Sequence, residues 1–211
     1  MDIAGIRKDY KLEALDETGV AKNAIEQFSQ WWEEAVKSNI EEVNAMVLAT
    51  ASKEGVPTSR IVLLKGFDAN GFIFFTNYNS RKGLQMAENN HVSLLFFWKE
   101  LERQVNIIGT VQKTDTKTSD NYFFSRPVGS RIGAWSSPQS TIIDSREVLE
   151  QNEQQYKQQF GETVPRPPHW GGYIVKPKSI EFWQGRSNRL HDRLLYSLQQ
   201  GNSWTIERLA P

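Results

Sequence analysis

The sequence predicts an α+β domain, a mostly antiparallel β-barrel with peripheral helices. From Ala45 onward, short apolar runs are separated by tight-turn signals such as Asp68-Ala-Asn-Gly71, the pattern of hairpin-connected strands. Stretches with helical apolar spacing lie before these runs and between them. The 211 residues suffice for one domain with a real core and some helical additions, and they contain no internal repeat or low-complexity tract.

The first twenty residues are polar and irregular and read as a mobile arm, followed by a single domain over 21–211. Residues 22–38 carry Ile25, Phe28, Trp32, Ala35 and Val36 at helical spacing, with Asn39 as the stop. Ala45–Ser52 is an apolar strand ending at the turn Lys53-Glu-Gly-Val-Pro57. Thr58–Phe67 and Phe72–Thr76 flank the Asp68–Gly71 hairpin signal. Ser80 is placed to cap a short helix running to about Glu88. Val92–Trp98 and Arg103–Lys113 form the next strand pair. Thr116–Ser125 is helical, Pro127 interrupts it, and a second piece spans Gly129–Trp135. Asp144-Ser-Arg-Glu147 resembles a capping box opening a polar, peripheral helix over 145–160. Val164-Pro-Arg-Pro-Pro168 is an extended linker. Gly172–Val175, Ser179–Gln184, Asp192–Leu198 and Ser203–Leu209 complete the strands.

Charged residues make up 24% of the chain with a formal net charge of zero, so no overall basic field draws in nucleic acid or a membrane surface. Any anion site must be built locally. The absence of cysteine removes disulfides, thiolate nucleophiles and Cys-ligated metals, and three scattered histidines (His91, His169, His191) argue against a His-based metal site. No apolar run has the length of a signal sequence or a membrane span, so the expectation is a cytoplasmic protein.

Four basic or polar clusters remain. Arg60-Ile-Val-Leu-Leu-Lys65 places two cations around four apolar residues; strict alternation puts them on opposite faces, so one ligand takes both only if the strand bulges or the ligand wraps its end. Ser80-Arg-Lys82 puts two cations at a helix start, where the partial positive charge disfavours them unless an anion binds. Tyr122, Arg126 and Ser130 share a face at helical spacing and can all donate to phosphate oxygens, although Pro127 interrupts the helix and a capped end with an incidental Arg reads equally well. Last, Arg186, Arg189, His191 and Arg193 follow the Phe182-Trp183 pair. Read as strand, Arg189, His191 and Arg193 share one face, which suits a planar or phosphorylated anion; the alternative is a solvated charged face. With neither a G-x-G-x-x-G fingerprint nor a Walker loop, the clusters point to more than one anionic group and to chemistry carried by a bound cofactor.

These segments resemble the pyridoxine (pyridoxamine) 5′-phosphate oxidase family. The markers are Arg60–Lys65, Ser80–Lys82, Leu101-Glu-Arg-Gln-Val105, Ser125-Arg-Pro127, Ile132-Gly-Ala-Trp135, Gln139-Ser140, Phe182-Trp-Gln-Gly185, Arg189-Leu-His-Asp-Arg193 and Glu207-Arg-Leu-Ala-Pro211. In order over nearly the whole chain they are highly specific. The resemblance implies an FMN-binding split barrel that works as a homodimer with FMN at the subunit interface. It also implies oxidation of pyridoxine 5′-phosphate or pyridoxamine 5′-phosphate to pyridoxal 5′-phosphate, with O2 as acceptor and H2O2 as product.

Carried over residue by residue, the resemblance puts flavin contacts on Arg60, Ile61, Val62, Leu63, Leu64, Lys65, Phe75, Thr76, Arg81, Lys82, Gln104, Gln139, Ser140, Trp183 and Arg193. It puts substrate contacts on Lys65, Tyr122, Arg126 and Ser130 for the phosphate, and on Arg189, Leu190 and His191 at the ring. Arg189 and His191 are the expected catalytic pair, and Arg7-Lys-Asp-Tyr10 matches an arm over the substrate. No metal is implied. The rivals are another split-barrel flavin reductase, a flavin or pyridoxal phosphate carrier, and a barrel that binds single-stranded nucleic acid by stacking.

Overall fold

The computed structural model describes residues 3, 5 and 8–211. Helix α1 (Ala24–Lys37) is capped by Asn23, whose side chain accepts the amides of Ile25 and Glu26. It ends at Ser38, and Asn39 follows in the left-handed region (φ 53°). The buried stripe is Ala24, Gln27, Phe28, Trp31 and Ala35. Val36, expected on that face, is exposed, because Trp31 rather than Trp32 continues the i, i+3, i+7 line. Phe28 is fully buried, with ring centroids 4.8 Å from Phe67, 4.9 Å from Phe72 and 5.3 Å from Phe96.

Strands β1 (Ala45–Ala51), β2 (Pro57–Leu63), β3 (Gly66–Asp68), β4 (Gly71–Asn77), β5 (His91–Trp98), β6 (Arg103–Lys113), β7 (Trp170–Gln184), β8 (Asp192–Leu198) and β9 (Trp204–Arg208) form one antiparallel sheet. Its order is β2-β1-β5-β6-β7-β4-β3, with β8 on β7 and β9 on β8. The sheet curls into a half-barrel, and the Lys65 amide donates to the Ile73 carbonyl at 2.8 Å, tying the end of β2 to β4. Thr58–Phe67, expected as one strand, is thus two: β2 stops at Leu63 and β3 begins at Gly66.

The reverse holds at β7. Gly172–Val175 and Ser179–Gln184, expected as separate strands, are one strand of 15 residues. Pro177 is tolerated because the register shifts there, opposite Ile108 and Gly109. One edge of β7 pairs with β6 from Tyr173 to Gln184. The other pairs with β4 over Trp170–Val175 and with β8 over Ser179–Gln184, so β7 joins the two ends of the molecule.

Helix α2 (Arg81–Glu88) is capped by Ser80, as expected. Helices α3 (Thr116–Ser125) and α4 (Val128–Ser136) are separate, broken at Arg126-Pro127. Helix α5 (Glu147–Phe160) has no buried residue, as its polar sequence indicates. The expected capping box does not form: Arg146 precedes the helix without a side-chain cap. Phe123, Ile132, Val164 and Trp170 make a second small core beneath α3 and α4. Residues 8–20, expected as a separate arm, lie against the barrel. Leu15 is buried in the main core, and its amide donates to Asp192 Oδ2 at 3.1 Å.

Candidate active site

A cavity of about 520 Å³ opens where β2 ends beside β4, under α3 and α4. Arg60, Ile61, Val62, Leu63 and Lys65 line one side, Phe75, Thr76, Lys82 and Gln139 another, and Tyr122, Arg126 and Ser130 a third. Leu64 does not join them; its side chain turns into the core. That inward turn ends the strand alternation and lets Arg60 and Lys65 face one cavity despite their odd spacing. In the same way, the break at Arg126-Pro127 does not separate Tyr122, Arg126 and Ser130. Trp170, which the sequence reading passed over, is also a wall: its ring lies 4.7 Å from the Arg126 guanidinium carbon. An aromatic two residues after a proline-rich linker was the available signal.

The cavity holds four cations, Arg60, Lys65, Lys82 and Arg126, and no carboxylate among its described lining residues. Arg60 is fixed by neutral acceptors. Its Nη1 donates to Leu48 O at 3.0 Å and Thr50 Oγ1 at 2.7 Å, and its Nη2 donates to Thr58 Oγ1. Both threonine hydroxyls in turn donate to Gln85 Oε1, at 2.6 Å and 2.7 Å. Burial, with the nearby Arg81 charge, lowers the Arg60 pKa. Lys82 Nζ donates to Gln139 Oε1 (3.0 Å), Thr76 Oγ1 (3.2 Å) and Ser80 Oγ (3.3 Å). Burial and then the Arg60 charge bring its pKa down to about 8. Burial also lowers the pKa of Arg126, whose Nη1 is enclosed without any hydrogen-bond partner. A buried guanidinium nitrogen without a protein partner suits an anion. Arg81 and Ser140 lie next door, in a groove of about 280 Å³ that shares Gln139 with the main cavity.

The remaining expected residues are elsewhere. Gln104, Trp183 and Arg193 are cross-strand neighbours on β6, β7 and β8, forming one row on the face away from the core. Arg193 is held by Glu181, Nε to Oε1 at 2.7 Å and Nη2 to Oε2 at 3.1 Å, and that pairing raises its pKa. The strand begins at Asp192, as expected, so the shared strand face considered for Arg189, His191 and Arg193 does not form. Asn188 and Arg189 adopt left-handed backbone (φ 57° and 62°), so Arg189 and His191 do not alternate with Arg193. They line a second cavity of about 520 Å³ with Lys8, Asp9, Tyr10, Arg186 and Asn188. Leu190 is exposed outside it. Arg7 lies outside the described residues. His191 Nδ1 accepts the Arg186 amide at 3.0 Å, so a neutral ring carries its proton on Nε2 and presents a donor to the cavity. Its ring lies 4.6 Å from Trp183, connecting this cavity to the outer row.

The two cavities share no residue. Trp170 lines the first and Arg186 lies just past the far end of β7, on the order of 50 Å along the chain.

Two family models match the chain. Residues 32–160 match the family model described as pyridoxamine 5′-phosphate oxidase. Residues 170–211 match the model described as the pyridoxine 5′-phosphate oxidase C-terminal dimerisation region. The pyridoxine/pyridoxamine 5′-phosphate oxidase of Paraburkholderia phymatum is 57% identical, covering 99% of each chain. The crystal structure of PhzG from Burkholderia lata, in complex with tetrahydrophenazine-1-carboxylic acid, superposes with a TM-score of 0.88 at 31% identity, covering 95% of this chain and 99% of that one. A pyridoxamine 5′-phosphate oxidase-related, FMN binding protein from Nostoc punctiforme shares the fold with a TM-score of 0.71 at 16% identity, covering 91% of this chain and 100% of that one. The split-barrel fold, the cation-lined cavity and the full-length identity together make this chain a member of the pyridoxine/pyridoxamine 5′-phosphate oxidase family of oxidoreductases.

Proposed function

We propose that the protein oxidises pyridoxine 5′-phosphate and pyridoxamine 5′-phosphate to pyridoxal 5′-phosphate, with FMN as cofactor and O2 as acceptor, releasing H2O2 and, from the amine, NH3. The observation that carries this reading is the unpaired, buried Arg126 Nη1 beside Tyr122, Ser130 and Lys65 in one cavity. These groups suit a phosphate monoester, and Arg60, Lys82 and neighbouring Arg81 at the α2 N-terminus suit a second one. That pairing fits a phosphorylated substrate and FMN together. When bound, FMN supplies the two-electron acceptor that no side chain here provides.

The chain's own work is positioning. Lys65, Tyr122, Arg126 and Ser130 hold the substrate phosphate. Arg81 and Lys82 hold the flavin phosphate, with Phe75, Thr76, Gln139, Ser140 and backbone from Arg60 to Lys65 along the cofactor. Arg189 clamps the substrate ring, and His191 donates Nε2–H to a substituent rather than accepting its proton. Arg189 and His191 face a different cavity from the phosphate groups, so the working site takes one half from each chain of a homodimer. The row Gln104, Trp183 and Arg193 then reaches the flavin across the subunit boundary. The sheet's outer face offers an apolar surface for that contact: Ile61 is 62% exposed, Phe97 53% and Ile108 48%, and Ile61 pairs with Val47, which pairs with Leu95.

Anaerobic mixing of FMN-loaded protein with pyridoxine 5′-phosphate should bleach the flavin absorbance, and air should restore it with peroxide formed. Flavin that stays yellow would leave the fold standing and remove the oxidase reading.

A further inference from the structure

Glu102 sits where a carboxylate is hard to place. It follows the single 3-10 turn Lys99–Leu101 and adopts left-handed backbone (φ 55°, ψ 38°), a conformation that side chains other than Asn or Asp rarely take. Its side chain is only 3% exposed. Burial pushes its pKa up, but hydrogen bonds from Lys8 and from the Leu12 and Lys11 amides outweigh that and bring it below the usual value. Glu102 Oε1 lies 3.0 Å from Lys8 Nζ, and Oε2 accepts the amides of Lys11 at 2.8 Å and Leu12 at 3.2 Å. All three partners belong to one short segment and flank Tyr10 on both sides.

Tyr10 has a prepared seat. The Gly185 amide donates to the Glu102 carbonyl at 2.8 Å, and a Cβ on Gly185 would lie 2.7 Å from Tyr10 Cγ. The Tyr10 ring therefore rests on bare backbone, edge-on to Trp183 at 5.7 Å and 5.9 Å from the His191 ring. Ser187 Oγ donates to the Tyr10 carbonyl at 3.2 Å. The platform is braced from below: Gln184 Nε2 donates to the Leu101 and Glu102 carbonyls, and Gln184 Oε1 accepts from Arg103 Nε, whose guanidinium also pairs with Glu34 of α1.

We propose that Glu102 is a positioning residue for the reaction: its buried carboxylate clasps residues 8–12 and, with the vacancy at Gly185, sets Tyr10 as a wall of the Arg189/His191 pocket. A left-handed turn residue would more simply be glycine. A glutamate there is explained by the segment it holds. The proposal rests on the oxidase reading for its kinetic consequence, whereas the clasp itself is measurable without any substrate.

Two variants perturb the clasp from opposite sides. Glu102→Gly removes the carboxylate while relaxing the turn, so the fold is retained. Gly185→Ala keeps Glu102 and fills the seat of Tyr10. In the purified protein, both should expose Lys8 and Lys11 to trypsin, with cleavage at least roughly tenfold faster than wild type, because protection follows the closed population. Both should raise KM for pyridoxine 5′-phosphate roughly tenfold, as expected when Tyr10 no longer walls the pocket, with kcat and FMN affinity retained. Glu102→Gln, which keeps an acceptor for the two amides but loses the Lys8 ion pair, should fall between. Wild-type trypsin resistance in Glu102→Gly would overturn the clasp. Faster cleavage with an unchanged KM would overturn the positioning role. Absence of turnover in every form, with the cleavage difference intact, would instead count against the oxidase reading and leave the clasp standing.

Discussion

Replacing Arg126 by Met tests the substrate-phosphate site because it should move binding and stability in different directions. In the free protein the Arg126 Nη1 is buried and unpaired. An unsatisfied buried donor costs about 1–3 kcal/mol. Against that stands the guanidinium over Trp170 at 4.7 Å, a contact contributing about 0.5–2 kcal/mol. Methionine keeps an unbranched apolar stem against Trp170. The two terms nearly cancel, and the folded state should be unchanged or more stable by ~1 kcal/mol, a shift of roughly 0 to +4 °C in Tm.

Binding should change far more. A hydrogen bond to a charged group is worth about 1.5–3 kcal/mol, so kcat/KM for pyridoxine 5′-phosphate should fall roughly ten- to hundredfold. The loss should be confined to phosphorylated substrate, so the ratio of pyridoxine 5′-phosphate to pyridoxine turnover is the assay, with thermal melting alongside. A Tm drop of more than about 5 °C would mean that the guanidinium has a structural partner. Equal losses for pyridoxine and its phosphate would mean that Arg126 does not recognise the phosphate. Either result refutes the reasoning.

Gln85→Leu leaves Thr50 and Thr58 without the acceptor that orients them toward Arg60; FMN affinity in a fluorescence titration should fall roughly tenfold, with a stability loss of about 1–3 kcal/mol. Unchanged affinity would mean Arg60 needs no such support. The Lys82 pKa of about 8 lies below the ordinary 10.5, so the unfolded chain binds more protons between these values. Stability of the flavin-free protein should therefore rise from pH 8 toward 10.5, whereas FMN affinity, which needs the protonated amine, should fall as pH rises through about 8. Lys82→Met should flatten that affinity profile, and a wild-type profile already flat would remove Lys82 from the phosphate site. At Gly83, an added Cβ would lie 2.1 Å from the Tyr78 carbonyl oxygen, so Gly83→Ala should shift the start of α2, weaken FMN binding and lower stability by roughly 2–4 kcal/mol in denaturant melts.

Much of the barrel was legible because its signals are local. Ser80 caps α2 where side-chain chemistry demands it, and the Asp68–Gly71 turn joins two paired strands. The errors fall where tertiary context overrides a local signal. Pro177 reads as a strand break, yet a register shift opposite Gly109 absorbs it and β7 runs on. The alternation of Arg189, His191 and Arg193 suggests one shared strand face, yet Asn188 and Arg189 are left-handed and only Arg193 lies in the strand that begins, as expected, at Asp192. Asp144 has the spacing of a cap, but the helix starts three residues later. At the site, motif order named the residues without sorting them into two cavities. Trp170 and Gln85 act through contacts across the fold, Trp170 on Arg126 and Gln85 on two threonines of other strands, which no spacing in the chain encodes.

The division of the site follows from how β7 is shared. Its first half pairs with β4, which brings Phe75 and Thr76 beside the end of β2 and, through Trp170, beneath Arg126. Its second half pairs with β8, which brings Trp183 beside Arg193 and close to His191. The first half concentrates cations, but its aromatic walls are occupied with one another, Phe75 and Tyr122 stacking at 4.0 Å. The second half carries Trp183, His191 and Arg189, the groups proposed to face the rings, apart from the cations proposed to hold phosphate. A rigid strand cannot fold back to join its own two ends, so a ligand that needs both sets must meet them from two molecules. On the proposed reading dimerisation brings the two sets together, and the outer face of the sheet, where exposed Ile61 lies beside half-buried Val47 and Leu95, offers the second copy apolar surface to cover.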